Sequence, residues 1–446
     1  MKSTLDEVIR DMEDWQRRFD PSWYLILRIP DPMIDRALNQ HVRKIMTAAT
    51  ARTSIEDMES HVSGTSIRST NVASQSLSRQ SPLINADGVR DALRPNPRYI
   101  SIFLPEEDLD IVSIPYANAM LARRRGSTGT KWLIINSIQC TPSSNITAMT
   151  KDIRGLARKL TQVDPSRFGL LQCKGVIRLL RPPSSRLGPP STPEIQSFDV
   201  VFRSPDGSSA FRCLREDLPK PAKVSLSNRV RIAQQIAQSV NYVHALNFVH
   251  KNIRPESILI WDGTGSKFPS TFLVGFDNIR SADGATNLIG DTEWTTNIYR
   301  HPTRQGERLL ESHKMQHDIY SLGVCLLEIG LWNPLIHYVQ QDGAGLSLQK
   351  RCRRGTVLDD FVAGREETSS MLSGEPFKKY LVDLANAELP TLVGDRYTDI
   401  VVNCLTCLDQ KNNGFGDESE MLDEDGILVG VRFIEAVLLR LNEIVV

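Results

Sequence analysis

The sequence has no excess of charge of either sign. Its 53 lysines and arginines are matched by 53 aspartates and glutamates, so no overall field draws it to nucleic acid or to an anionic membrane. Long apolar runs are also missing. The most apolar stretch, IYSLGVCLLEIGLW at residues 319–332, carries Glu328 and falls short of the roughly 20 apolar residues that span a bilayer. The charged start, MKSTLDEVIRDMEDWQRR, lacks the apolar centre of a signal peptide. Cysteine is sparse: seven residues, an odd number, are scattered over 446, which does not make a disulfide framework. Cys404 and Cys407 form a C-x-x-C pair inside an apolar helical pattern, where core thiols are expected rather than metal ligands. These absences point to a soluble, cytoplasmic protein with no transmembrane segment and no nucleic-acid partner.

What is present falls into four regions. Residues 1–47 read as an N-terminal helical segment. Leu5, Val8, Ile9, Met12 and Trp15 recur at helical spacing, and Thr4 with Glu7 forms a capping box. Residues 48–98 dissolve into Ser, Thr, Asn and Gln, too few apolar side chains to offset chain entropy, and read as a disordered linker. Residues 99–204 read as a small lobe of five strands (YISIFL, IVSIPYANAML, KWLIINSIQ, GVIRLL, SFDVVFR) with one helix at 149–162. Residues 205–446 are mostly helical: 226–246 carries one apolar stripe, and 317–329 is apolar nearly all round, the mark of a helix buried inside a helical lobe. The fold class is α+β, with a small β-rich lobe before a large helical one.

Two segments give this architecture a family. FVHKNIRPESILI at 248–260 and HDIYSLGVCLLEI at 317–329 resemble the catalytic loop and central buried helix of the protein-kinase fold. The family's loop reads H-R-D-L-x-P-E-N before a short apolar strand; here His250, Lys251, Asn252, Ile253, Arg254, Pro255, Glu256 and Ser257 stand in its place. Pro302, in NIYRHPTRQ, matches the proline of A-P-E. The resemblance covers about residues 99–446 and implies a bilobal kinase-like fold in which Asp318, Pro255 and Pro302 are structural, Asp318 accepting hydrogen bonds from the loop backbone.

The same resemblance implies that the transfer chemistry is degenerate. Phosphoryl transfer needs a carboxylate to accept the substrate proton and ligands to hold Mg²⁺. Asn252 occupies the base position, and an amide is no base. Ser257 replaces the asparagine that holds metal. In LVGFDN the D-F-G motif is matched by Gly275, Phe276 and Asp277, so the metal carboxylate is a glycine and Asp277 comes two residues late. No glycine lies between Gly88 and Gly126, where a phosphate loop would be. Lys131 stands only at the start of its strand, and the helix at 149–162 has Asp152 but no glutamate. A pseudokinase is expected, a binding and signalling module meeting protein partners through the helical lobe. The alternative is a divergent Ser/Thr kinase of weak activity, which would use ATP and Mg²⁺ with Asp277 as metal ligand. WQRRFDPSWYLILRIPDPMIDRAL further resembles the end of the HeLo-type helical domains that precede kinase-like domains in filamentous fungi, which implies a role in incompatibility or cell-death signalling. The basic run KRCRRG (350–355) and the acidic run DESEMLDED (417–425) read as solvated loops able to serve partners.

Overall fold

A computed structural model of the chain describes Arg36 and most of residues 101–445. Segments 1–35, 37–100, 127–130, 142–143, 182–193, 221–223, 264–268, 282–292, 340–350, 364–371 and 416–426, with a few single positions, lie outside the described residues. Nearly all of the expected N-terminal helical segment, the linker and the acidic run therefore fall outside the description.

β-Branched runs with period-two alternation build the small lobe. β1 (Phe103–Leu104), β2 (Leu109–Ser113), β3 (Met120–Arg124), β4 (Leu133–Gln139), β5 (Cys173–Leu180) and β6 (Ile195–Arg203) form one sheet in the order β1-β5-β6-β4-β3-β2. Six strands replace the expected five, because IVSIPYANAML is a hairpin rather than one strand. Pro115 has no N–H for a ladder, and Tyr116 turns the chain at φ +62°. Helix α1 (Ile146–Leu160) lies between β4 and β5, its N-terminus capped by the Asn145 side chain. It buries Ile153, Leu156, Ala157 and Leu160.

β1 is an unusual addition. It runs parallel to β5, with Phe103 opposite Val176 and Leu104 opposite Ile177, and Phe103 lies under the guanidinium groups of Arg178 and Arg154. Gly175 permits this approach: a Cβ there would come within 2.6 Å of Leu104 Cγ and 2.8 Å of the Ile102 carbonyl oxygen.

The helical lobe begins after β7 (Phe211–Cys213). α2 (Leu226–Ala245), capped by Ser225, leads to β8 (Phe248–Val249), β9 (Ile258–Trp261), β10 (Ser270–Leu273) and β11 (Arg280–Ser281). β9 pairs with β7 and β10, and β8 pairs with β11, which places residues 250–257 as a loop between two fixed strands. α3 (Met315–Leu331) is buried from Met315 to Gly330. A hairpin of β12 (Ile336–Val339) and β13 (Arg351–Arg354) follows, so most of the basic run is a paired strand rather than a loop. α4 (Gly374–Val393) and α5 (Asp395–Leu405) then pack on α3. One core runs through both lobes. The seven cysteines are free thiols, with Cys404 and Cys407 buried. Among the described residues no helix is long and apolar enough to cross a membrane.

Candidate functional site

The loop between β8 and β9 is held from behind by one carboxylate. Asp318, on the first turn of α3 and fully buried, accepts the backbone N–H of His250 at 2.7 Å and of Lys251 at 2.9 Å. The imidazoles of His244 (3.1 Å) and His313 (2.9 Å) also contact it. Burial alone would push the Asp318 carboxyl up; the imidazoles and the N–H donors outweigh it and hold the group well below its ordinary range. Lys251 takes the turn at φ +65°, and burial among Arg280, Arg304 and Arg300 lowers its ammonium to about 8.

A second buried network holds the other end of the loop. Arg215 reaches Glu256 at 2.7 Å and Glu328 at 2.9 Å, all three at most 2% exposed, and also contacts the Tyr299 hydroxyl. Glu328 accepts the Leu335 N–H at 2.7 Å, and Glu256 accepts the Tyr338 hydroxyl at 3.0 Å. Pro255 starts the short 3₁₀ turn that carries Glu256 and Ser257. Pro302 starts another, Pro302–Arg304, farther along the chain.

The face turned toward the small lobe is chemically different. His250 Nε2 donates to the Val274 carbonyl at 3.1 Å while its Nδ1 receives the Asn252 N–H. That fixes the neutral tautomer, and burial lowers the imidazole to about 4. Phe276 packs on His250 at 5.0 Å and on Phe202 of β6 at 6.0 Å. Asn252 Nδ2 donates to the Gly275 carbonyl (3.2 Å) and to Asp277 Oδ2 (3.1 Å). The other Asp277 oxygen accepts Asn136 Nδ2 at 2.6 Å, and Asn136 Oδ1 in turn accepts the Phe276 N–H at 2.6 Å. Burial raises the Asp277 carboxyl, against the Asn136 bond. Ser257 donates its hydroxyl to the Arg254 carbonyl at 2.8 Å. Asn252, Ser257, Gly275, Phe276 and Asp277 thus converge on one spot, while Asp318 and Pro255 lie behind it and Pro302 outside it.

Three residues at this spot were not singled out by motif reading: Asn136, Asn118 and Arg254. Asn136 carries a readable signal, since LIIN of β4 stands where V-A-I-K stands in kinases, with Asn136 at the lysine position and Lys131 five residues earlier. The 114–119 turn gave none. It dips onto the loop, with the Asn118 N–H bonding the Glu256 carbonyl at 3.0 Å and Asn118 Oδ1 accepting from Arg254 at 3.4 Å. Gly275 sits at φ +82°, and a Cβ there would meet Ser257 Cβ at 2.9 Å, Asn118 Nδ2 at 3.2 Å and Asn252 Nδ2 at 3.4 Å.

No family model matches the sequence. A Mycoplasma pneumoniae protein whose name places it among serine/threonine-protein kinases is 27% identical over 140 residues, 29% of this chain and 35% of that protein. A Raf homolog serine/threonine-protein kinase of Caenorhabditis elegans is 22% identical over 189 residues, 39% of this chain and 21% of its own length. A serine/threonine-protein kinase-like protein of Arabidopsis thaliana is 33% identical over 105 residues, 23% of this chain and 27% of its own length. The chain is a distant homologue of the serine/threonine protein kinases. It spans about a fifth to a third of the length of the relatives it matches, and the β-sheet followed by a helical region is a kinase-like bilobal fold.

The residues of this kinase-like site do not fit ATP·Mg²⁺. Gly275 offers no ligand atom, Ser257 gives its hydrogen to Arg254, and both Asp277 oxygens accept amide N–H groups. A divalent ion needs several oxygen ligands converging on it. Elsewhere the described residues bring His301, Glu311 and His317 together as a group able to hold a metal; hydrogen bonds already join them, and the buried His301 Nε2 is left without a hydrogen-bond partner. His317 Nδ1 accepts the Lys314 N–H at 2.8 Å, which leaves Nε2–H donating to Glu311 at 3.0 Å, and His301 Nδ1 accepts from Thr303. The group serves as a hydrogen-bonded node.

Proposed function

We propose that this kinase-like domain is a pseudokinase, a non-catalytic module that signals by binding protein partners through its helical lobe. One observation carries the reading: the spot where transfer would occur is closed on itself, largely by amides and a hydroxyl. Asn252 stands at the base position, tied to Gly275 and Asp277, and Asn118 stands against Gly275, where a metal-binding side chain would have to project. Removing one member of a preorganised site commonly costs about a hundredfold or more in rate; here base, metal ligands and lysine are replaced together. The resemblance of residues 15–38 to the segment preceding fungal kinase-like domains extends the proposal to incompatibility or cell-death signalling.

The test is thermal unfolding of the full chain with and without ATP·Mg²⁺, beside phosphate incorporation into a generic protein acceptor. A ligand of the native state raises the midpoint. The expected result is no rise and no incorporation. A clear rise with incorporation that disappears in Asp277→Ala would establish instead a divergent Ser/Thr kinase using Asp277 for metal.

A further inference from the structure

The turn that closes the site also reaches out of it. Tyr116 stacks on Tyr338 of β12, ring centroids 4.9 Å apart and planes at 28°. Tyr338 belongs to the helical lobe, where its hydroxyl donates to Glu256 and Arg215 donates to the neighbouring Ile336 carbonyl at 3.2 Å. The β12–β13 hairpin is thus fixed at its base by the buried Arg215–Glu256–Glu328 network, and it presents one ring to the small lobe. On the other side, Tyr116 holds φ +62°, a backbone conformation that residues other than glycine, asparagine and aspartate seldom adopt. Such a conformation persists only where its surroundings enforce it.

We infer that the 114–119 turn and the β12–β13 hairpin form a releasable clasp across the cleft, latched by Tyr116 on Tyr338. Its two ends differ in character. Ile114 and Ala119 are buried at the roots of the turn, so the hairpin of β2 and β3 keeps its place when the tip lifts. The tip itself meets the helical lobe through links that include a ring stack, one backbone bond to Glu256 and a long side-chain bond to Arg254, while Ala117 packs half-buried on the core. These are the modest links expected of a segment that opens locally without unfolding the lobe. Lifting it would uncover Asn252, Gly275 and Asp277 together. The clasp rests on the non-catalytic reading only in taking the closed cleft as the resting state.

Hydrogen exchange on the full chain tests it, following the Asn118 amide in wild type, Tyr338→Ala and Tyr338→Phe. An aromatic pair is worth enough to change an opening equilibrium by roughly two- to tenfold. Tyr338→Ala is expected to speed Asn118 exchange by about fivefold with the amides of α3 unchanged. Tyr338→Phe, which keeps the ring, is expected to stay near wild type. Equal Asn118 rates in wild type and Tyr338→Ala, with α3 still protected, would overturn the clasp. If Tyr338→Ala weakens α3 as well, Tyr116→Ala, on the small-lobe side of the stack, decides by the same reading. The two proposals fail separately. Phosphate incorporation by the wild type sinks the non-catalytic reading and leaves the clasp; unchanged exchange sinks the clasp and leaves the reading.

Discussion

The two faces of residues 250–257 obey different rules. The rear face is anchored by buried charge: Asp318 under His250 and Lys251, Arg215 between Glu256 and Glu328. The front face, barely a side chain's length away, is an arrangement of amides and a hydroxyl, with Asp277 capped by Asn136 and Asn252. Buried charges that are fully paired are costly to disturb, because removing one partner strands the other. Apart from Asp277, the amides and the hydroxyl of the front face carry no such penalty. A loop can therefore keep its conformation while its outward chemistry changes, since the two are set by different atoms.

The sharpest way to break this contrast is Asp318→Ala. It leaves two backbone N–H groups and two imidazoles facing an apolar gap, each a loss of about 1–3 kcal/mol. The expected outcome is a drop in unfolding free energy of at least about 4 kcal/mol, read from the urea midpoint, or failure to fold at all.

A gentler probe of the rear face is pH. His250 and His313 are buried neutral, lowered to about 4 and about 3. Their folded values lie below the unfolded value of about 6.5, so the unfolded chain binds more protons as pH falls. The stability they contribute is complete above pH 6.5 and is lost on descending toward pH 4, at about 1.4 kcal/mol per imidazole per pH unit. The urea midpoint should fall between pH 7 and pH 5 and flatten between about pH 7 and pH 8, above which the lowered Lys251 ammonium adds its own rise; a flat profile from pH 5 to pH 8 would mean that the imidazoles are accessible. The smallest effect belongs to the front face. Ser257→Ala removes the hydroxyl bonds to Arg254 and should cost about 1 kcal/mol, which puts its midpoint close to wild type.

The same division explains what could be read from the sequence. The rear face was legible because its residues recur in a fixed order, His250 through Glu256 and then Asp318, and because α3 is apolar all round. The departures from the kinase pattern at Asn252, Ser257 and Gly275 were legible as well. Position-by-position reading could not find the residues packed around them. Asn136 is one neutral residue in an apolar strand, and Asn118 sits in a turn that the pattern of IVSIPYANAML presents as strand. Their roles come from contacts between segments more than 130 residues apart, Asn136 with Asp277 and Asn118 with Arg254, and such pairings leave no local periodicity. Among the described residues of YISIFL, which alternates well, only Phe103–Leu104 pair with the sheet edge.

That edge has a genetic consequence. β1 is the first described strand of the sheet, and its seat exists because position 175 has no Cβ. Every missense change in a glycine codon adds at least that atom. The seating of β1 on β5 can therefore be cut by a single nucleotide substitution that leaves the loop, α3 and the cleft untouched.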